Sequence, residues 1–114
     1  MRTESKKLLS DVLTAARAIQ EFNAGKSPAD YQSNLMQRAA TEREFEIIGE
    51  AMTRLRDTDA PILSQISEAN LIIAFRNRLI HGYDTVDDEI VWEVIQHKLP
   101  TLIAEVESLL KPDS

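Results

Sequence analysis

Apolar residues recur every three or four positions along most of the chain, and no stretch alternates with the period of two that a strand requires. The pattern predicts helices. The first runs from about Glu4 to Asn23, with a stripe of Leu8, Leu9, Val12, Ala15, Ala16, Ile19 and Phe22, and Gly25 is placed to stop it. Ser27, Pro28 and Asp30 then spell a helix start: a capping hydroxyl, proline at the first helical position, and an acid three residues on. This short helix ends by about Asn34. A long helix comes next, from about Leu35 to Arg56, with Leu35, Ala39, Ile47, Ile48, Ala51, Met52 and Leu55 as its stripe. The stretch "DTDAP" breaks it, and a short turn is expected over Ile62–Ile66. Ser67 is expected to cap a helix from Glu68 to His81, ended by Gly82 at positive φ. Asp87 caps a last helix to about Leu110, which Pro100 should kink near His97. Gly49, in mid-helix, implies a close approach of two helices. The fold class is all-α: an antiparallel bundle of four main helices plus a short extra one, in a single domain over residues 1–114.

Composition narrows the picture. Hydrophobic residues make up 43% of the chain, so it can build a core, and there is no cysteine for disulfides or thiolate metal sites. Nothing resembles a signal peptide or a bilayer-spanning run, so a cytoplasmic protein with no membrane attachment is expected. The net charge of −6 argues against general attraction to nucleic acid, and any grip on a phosphate backbone must come from a local arginine cluster.

That cluster lies in "FRNRLIHGYD", Phe75 to Asp84, where two arginines, an asparagine, a histidine and a tyrosine interrupt one of the most apolar segments. On a helical wheel Leu71, Ile72, Ile73, Phe75, Leu79 and Ile80 spread over about 200°, wider than one core-facing stripe needs. Asn70, Asn77, Arg78 and His81 gather on the remaining arc. Arg76 falls within the apolar arc, about 140° from His81. The pattern allows two readings. In one, Arg76 is a buried arginine paired with Glu46 or Glu50 of the long helix, and His81 sits favourably at a helix C-terminus. In the other, the helix is buried twice, once by its own bundle and once by a second copy of the chain, and its polar residues line a cleft on the two-fold axis.

The second arrangement suits cleavage of RNA. The 2′-hydroxyl must lose a proton to attack phosphorus and the leaving 5′-oxygen must gain one, and histidine can do either. Arginine holds phosphate oxygens in a bidentate fork and stabilises the charge that builds in the transition state. Asn77, one turn before His81, could orient the ring or a phosphate. No cofactor is called for, and no His/Asp/Glu set has convincing metal-ligand spacing.

The stretch "RNRLIHGY" resembles the R-x4-H-x-Y motif of the HEPN superfamily in the form found in HepT-type toxins. The flanking "EFEIIGEAMTRL" and "DDEIVWEVIQHKLPTLIAEVE" are similar to the helices around that motif in the same family. The resemblance implies a helical bundle that dimerises through the motif helix and acts as a metal-independent ribonuclease. It implies a partner as well: a minimal nucleotidyltransferase antitoxin that binds the toxin and, in some systems, adenylylates the motif tyrosine. Carried over, Arg76 and His81 are catalytic, Asn77 supports them, and Tyr83 is the modified residue. Arg78 is assigned to RNA contact from its charge alone, and Glu46 and Glu50 are candidates to orient Arg76. The alternative is a non-catalytic helical partner of a nucleotidyltransferase, favoured by the acidic net charge. His97 is expected to face solvent or sit at the kink, Trp92 to anchor the core or an interface, and "DTVDDE" to form a solvated loop and helix start, which a basic patch on an antitoxin could also read.

Overall fold

The capping chemistry places the helices. In the computed structural model, which describes residues 1–82, 84 and 86–112, α1 spans Thr3–Asn23 and is followed by Gly25 at φ 71°. The Ser27 hydroxyl accepts from the Asp30 amide while the Asp30 carboxylate accepts from the Ser27 amide, a complete capping box that starts α2, Pro28–Ser33. Asn34 caps α3, Leu35–Thr58, and a four-residue helix, α4, covers Ala60–Leu63. The motif segment forms α5, Ala69–His81. Asp87 caps α6, Asp88–Glu93, through the Glu89 amide. One π turn, Val94–Lys98, joins α6 to α7, Leu99–Leu110. Among the described residues there is no strand, and the main bodies are α1, α3, α5 and the continuous rod over residues 88–110.

The first two long helices are antiparallel. Ser5, near the start of α1, donates its hydroxyl to Asp59 just past the end of α3 (2.6 Å), and Asn23 at the end of α1 meets Gln37 and Thr41 at the start of α3. Their seam supplies Leu9, Val12, Ala16, Ile19, Ile48, Met52 and Leu55 to the core. Phe45 links α3 to α5 through Phe75 at 5.0 Å between ring centroids, and Tyr31 joins α2 to the last rod through Trp92 at 5.9 Å. Trp92 is thus a core anchor.

The structure departs from the wheel at the ends of helices. Leu35 is 70% exposed and Ala39 is exposed too, while Gln37 and Thr41 are buried in their place. Phe22 also faces out, and its neighbour Asn23 turns in. The reason is a closed polar network. The Asn23 amide nitrogen donates to the Ile19 carbonyl (2.7 Å) and to the Thr41 hydroxyl (3.1 Å), and its oxygen accepts from Gln37 (2.7 Å). Satisfied polar groups can occupy core positions that an apolar count would give to leucine. Ser67 does not cap α5. Its amide and hydroxyl both donate to Glu105 of α7, so the helix starts at Ala69. Gly82 ends α5 at φ −135°, without the left-handed conformation expected of it. Pro100 does distort the last rod, but as a π turn in which the Leu99 amide reaches back to the Val94 carbonyl. That turn absorbs the missing proline donor, and His97 sits on it, exposed, 3.7 Å from Glu93. Of the C-terminal "KPDS", Asp113 and Ser114 lie outside the described residues.

Tyr31 is fully buried and its hydroxyl has no hydrogen-bond partner among the described residues. Burial, with the Glu42 and Asp88 carboxylates near by, pushes its pKa well above the ordinary tyrosine value, so the hydroxyl keeps its proton. Glu42 is likewise raised, first by burial and then by Asp88. Folded Glu42 therefore holds its proton more tightly than unfolded Glu42, and the fold loses stability as pH climbs through the raised value. Glu42→Gln is expected to raise the melting temperature at about pH 7 and to change it little at about pH 3, where the carboxyl is protonated in both states. Thermal unfolding at the two pH values checks this, and an equal shift at both would contradict it.

Candidate nuclease site on helix α5

Helix α5 carries the motif, and its two faces differ. Ile72, Ile73 and Leu79 are buried, with Phe75 and Arg76 half-buried beside them. Asn70, Leu71, Ala74, Asn77, Arg78 and His81 form the exposed face. Leu71 is 46% exposed, and Ile80, at the edge of the buried face, is 37% exposed. The helix therefore offers water two large aliphatic side chains along with its histidine and an arginine.

Arg76 lies on the side toward α3, as its wheel position requires. Its side chain is 23% exposed. One terminal nitrogen donates to Glu50 Oε2 at 3.1 Å and the other to Asn77 Oδ1 at 3.1 Å. Its Nε is buried with no acceptor among the described residues. Of the two glutamates considered as partners, Glu50 is the one engaged. Glu46 pairs instead with Arg43 at 3.4 Å, across the same cavity from Arg76. The second oxygen of Glu50 accepts from Arg54 at 3.1 Å, so a single carboxylate stands between two guanidinium groups. Arg54 escaped the sequence reading, although its position four residues after Glu50 is the spacing of a helical ion pair.

Gly49 explains the closeness of α3 and α5. A Cβ at this position would lie 2.2 Å from Arg76 Cβ and 2.3 Å from its Cγ. The stem of Arg76 thus rests directly on the backbone of α3, a contact that glycine alone permits. Arg43, Glu46, Glu50, Arg54 and Arg76 share a cavity of about 330 Å³ between α1, α3 and α5. On the other flank of α5, Arg78 and Lys98 border a mainly apolar groove of about 480 Å³ floored by Phe75, Leu79 and Val91.

Within one chain the two motif residues do not meet. Arg76 faces α3, and His81 is exposed at the C-terminal end of α5 with no hydrogen bond or ion pair among the described residues. Asn77 bridges the two sides, because it accepts from Arg76 yet lies one turn from His81. Arg78 is exposed and forms no ion pair among the described residues. Tyr83 lies outside the described residues. Among the described residues no group of three His, Asp or Glu side chains could hold a metal ion, and no helix is long and apolar enough to cross a membrane.

An all-α bundle with an arginine and a histidine five residues apart on one helix agrees with the HEPN-type resemblance of the motif. The match to known families is more specific: residues 12–109 fit the family model described as "Ribonuclease HepT-like", and the chain belongs to this HepT-like ribonuclease family. Three relatives span nearly the same length. The chain is 28% identical over 111 residues to a Thermococcus cleftensis protein named "Probable ribonuclease HepT", covering 97% of this chain and 100% of the relative. It is 30% identical over 105 residues to a Caldanaerobacter subterraneus protein named "Putative RNase TTE0752", covering 92% and 93%. It is 27% identical over 103 residues to the Methanocaldococcus jannaschii protein "Putative RNase MJ0127", covering 90% and 84%. No solved structure gives a significant match.

Proposed function

We propose that this member of the family is a metal-independent endoribonuclease that works as a homodimer, with Arg76 and His81 as its catalytic residues. The observation that carries the reading is that α5 leaves large aliphatic side chains in water on both flanks of its polar face, Leu71 on the side of Arg78 and Ile80 on the side of Arg76, with His81 exposed between them. Large aliphatic side chains on the motif helix favour a protein partner over solvent, and a second copy laid against this helix would bring two histidines and four arginines of the motif to one groove.

In such a groove one His81 takes the proton of the ribose 2′-hydroxyl. The 2′-oxygen attacks phosphorus, the bond to the 5′-oxygen breaks, and the second His81 supplies the proton that this oxygen needs. The products are a 2′,3′-cyclic phosphate and a 5′-hydroxyl. Arg76 stabilises the charge on the non-bridging oxygens. Asn77 orients the Arg76 guanidinium, and Arg78 contacts the RNA backbone. The chain then acts as the toxin of a toxin–antitoxin pair in the cytoplasm, with a minimal nucleotidyltransferase as antitoxin. Attachment of AMP to Tyr83 would place a phosphate anion beside the arginines that must hold RNA and so silence the site.

The test is incubation of the purified protein with a defined single-stranded RNA in the presence of a chelator. Fragments ending in 2′,3′-cyclic phosphate are expected. Intact RNA at high protein concentration would favour the non-catalytic partner role, and fragments with 3′-hydroxyl ends would sink the transesterification chemistry.

A further inference from the structure

We infer that Gly49 and Glu50, consecutive residues of α3, are positioning residues for Arg76, holding its stem and its head in the pose the chemistry uses. The inference rests on the role of Arg76 proposed above. Neither residue touches RNA. Both act through the arginine.

The geometry has two parts. At Gly49 the absence of a side chain lets Arg76 Cβ, Cγ and Cδ lie against the helix backbone, within 2.2, 2.3 and 3.1 Å of where a Cβ would stand. The methylene stem, normally the loosest part of an arginine, is thereby confined along most of its length. At the head, Glu50 Oε2 and Asn77 Oδ1 each accept from one terminal nitrogen. Glu50 is itself braced from the far side by Arg54 Nε on its other oxygen. The side chain is thus fixed at both ends by contacts that centre on α3, a helix that carries no motif residue. A guanidinium that must meet a developing negative charge loses rate steeply when its supporting contacts are loosened, by about 10²-fold for a misplacement of about 1 Å.

Charge alone predicts the opposite effect, which makes the idea sharp. Removing the Glu50 carboxylate makes an acidic chain less negative and frees two arginines, so bulk electrostatics should tighten RNA binding. Positioning demands slower chemistry.

The experiment is single-turnover cleavage of a defined RNA by the full-length protein and by Glu50→Ala, Glu50→Gln and Gly49→Ala, together with hydrogen exchange of the Arg76 Nε proton by nuclear magnetic resonance. Glu50→Ala is expected to lower the maximal rate by about 10- to 100-fold with the half-saturating RNA concentration unchanged or lower. Glu50→Gln, which keeps an acceptor, should fall in between. The Nε proton, buried in the wild type, should exchange faster in each variant. Gly49→Ala should show the same loss. Its added methyl can also block folding, so Glu50, half-exposed on the surface, decides the matter by itself. Wild-type rates in the Glu50 variants, alongside an inactive Arg76→Ala, would overturn the inference and leave the ribonuclease reading intact. If Arg76→Ala cleaves as fast as wild type, the role of Arg76 falls, and both claims fall with it.

Discussion

His81→Ala is expected to lower the rate of RNA cleavage by about 10²- to 10⁴-fold, the usual worth of a positioned acid or base, and to leave the melting temperature nearly unchanged. The second half of that expectation comes from the structure. His81 is exposed at the end of α5 and makes no hydrogen bond or ion pair among the described residues, so nothing in the chain's own fold leans on its ring. Arg76→Ala should cost a similar factor in rate but should also shift the melting temperature, because its removal strips the packing over Gly49 and leaves Glu50 with Arg54 alone. Mixed dimers sharpen the case. If each cleavage uses one histidine as base and its two-fold mate as acid, a dimer with a single His81 is inactive. An equal, fully exchanged mixture of wild-type and His81→Ala chains should then keep about a quarter of the wild-type activity per dimer. Half the activity would mean that each His81 works alone. A solution mass of about 13 kDa at every concentration, together with full activity, would remove the dimer from the mechanism altogether.

The largest effect on stability is expected at a position with no part in that chemistry. Asn23→Leu should destabilise the protein by about 3 kcal/mol, since it strands the buried Gln37 amide and Thr41 hydroxyl that now pair with it. The carbonyl of Ile19 loses an extra donor too. Urea unfolding measures the loss. The triple variant Asn23→Leu, Gln37→Leu, Thr41→Val should recover much of it, because replacing every member of a buried polar set leaves no orphaned group. A single variant as stable as wild type would show that the network contributes nothing net.

Local chemistry made much of this fold legible. Ser27, Pro28 and Asp30 start α2 where their types demand, Asp87 starts α6, and Gly25 takes the positive φ that ends α1. Each of those signals acts within a few residues. Two of the misread positions depend on partners farther away along the chain. Gln37 reads as surface until Asn23 is placed opposite it, and Ser67 reads as a cap although its acceptor, Glu105, is 38 residues away. The candidate site shows the same division. The wheel separated Arg76 from His81 correctly, because that angle is intrinsic to a helix. It gave Glu46 and Glu50 equal standing, because they are one turn apart on α3, and only the crossing with α5 at Gly49 selects between them.

The π turn over Val94–Lys98 has a consequence for how the last rod can vary. Five residues in one loop of the spiral break the angular register between α6 and α7. The segment before the turn packs toward α2 and borders the groove beside α5, while the segment after it lies along α1. The rod works as two independently phased surfaces on one axle. Substitutions in residues 88–93 can re-aim the groove beside the motif helix without forcing compensating changes where α7 seals the opposite side.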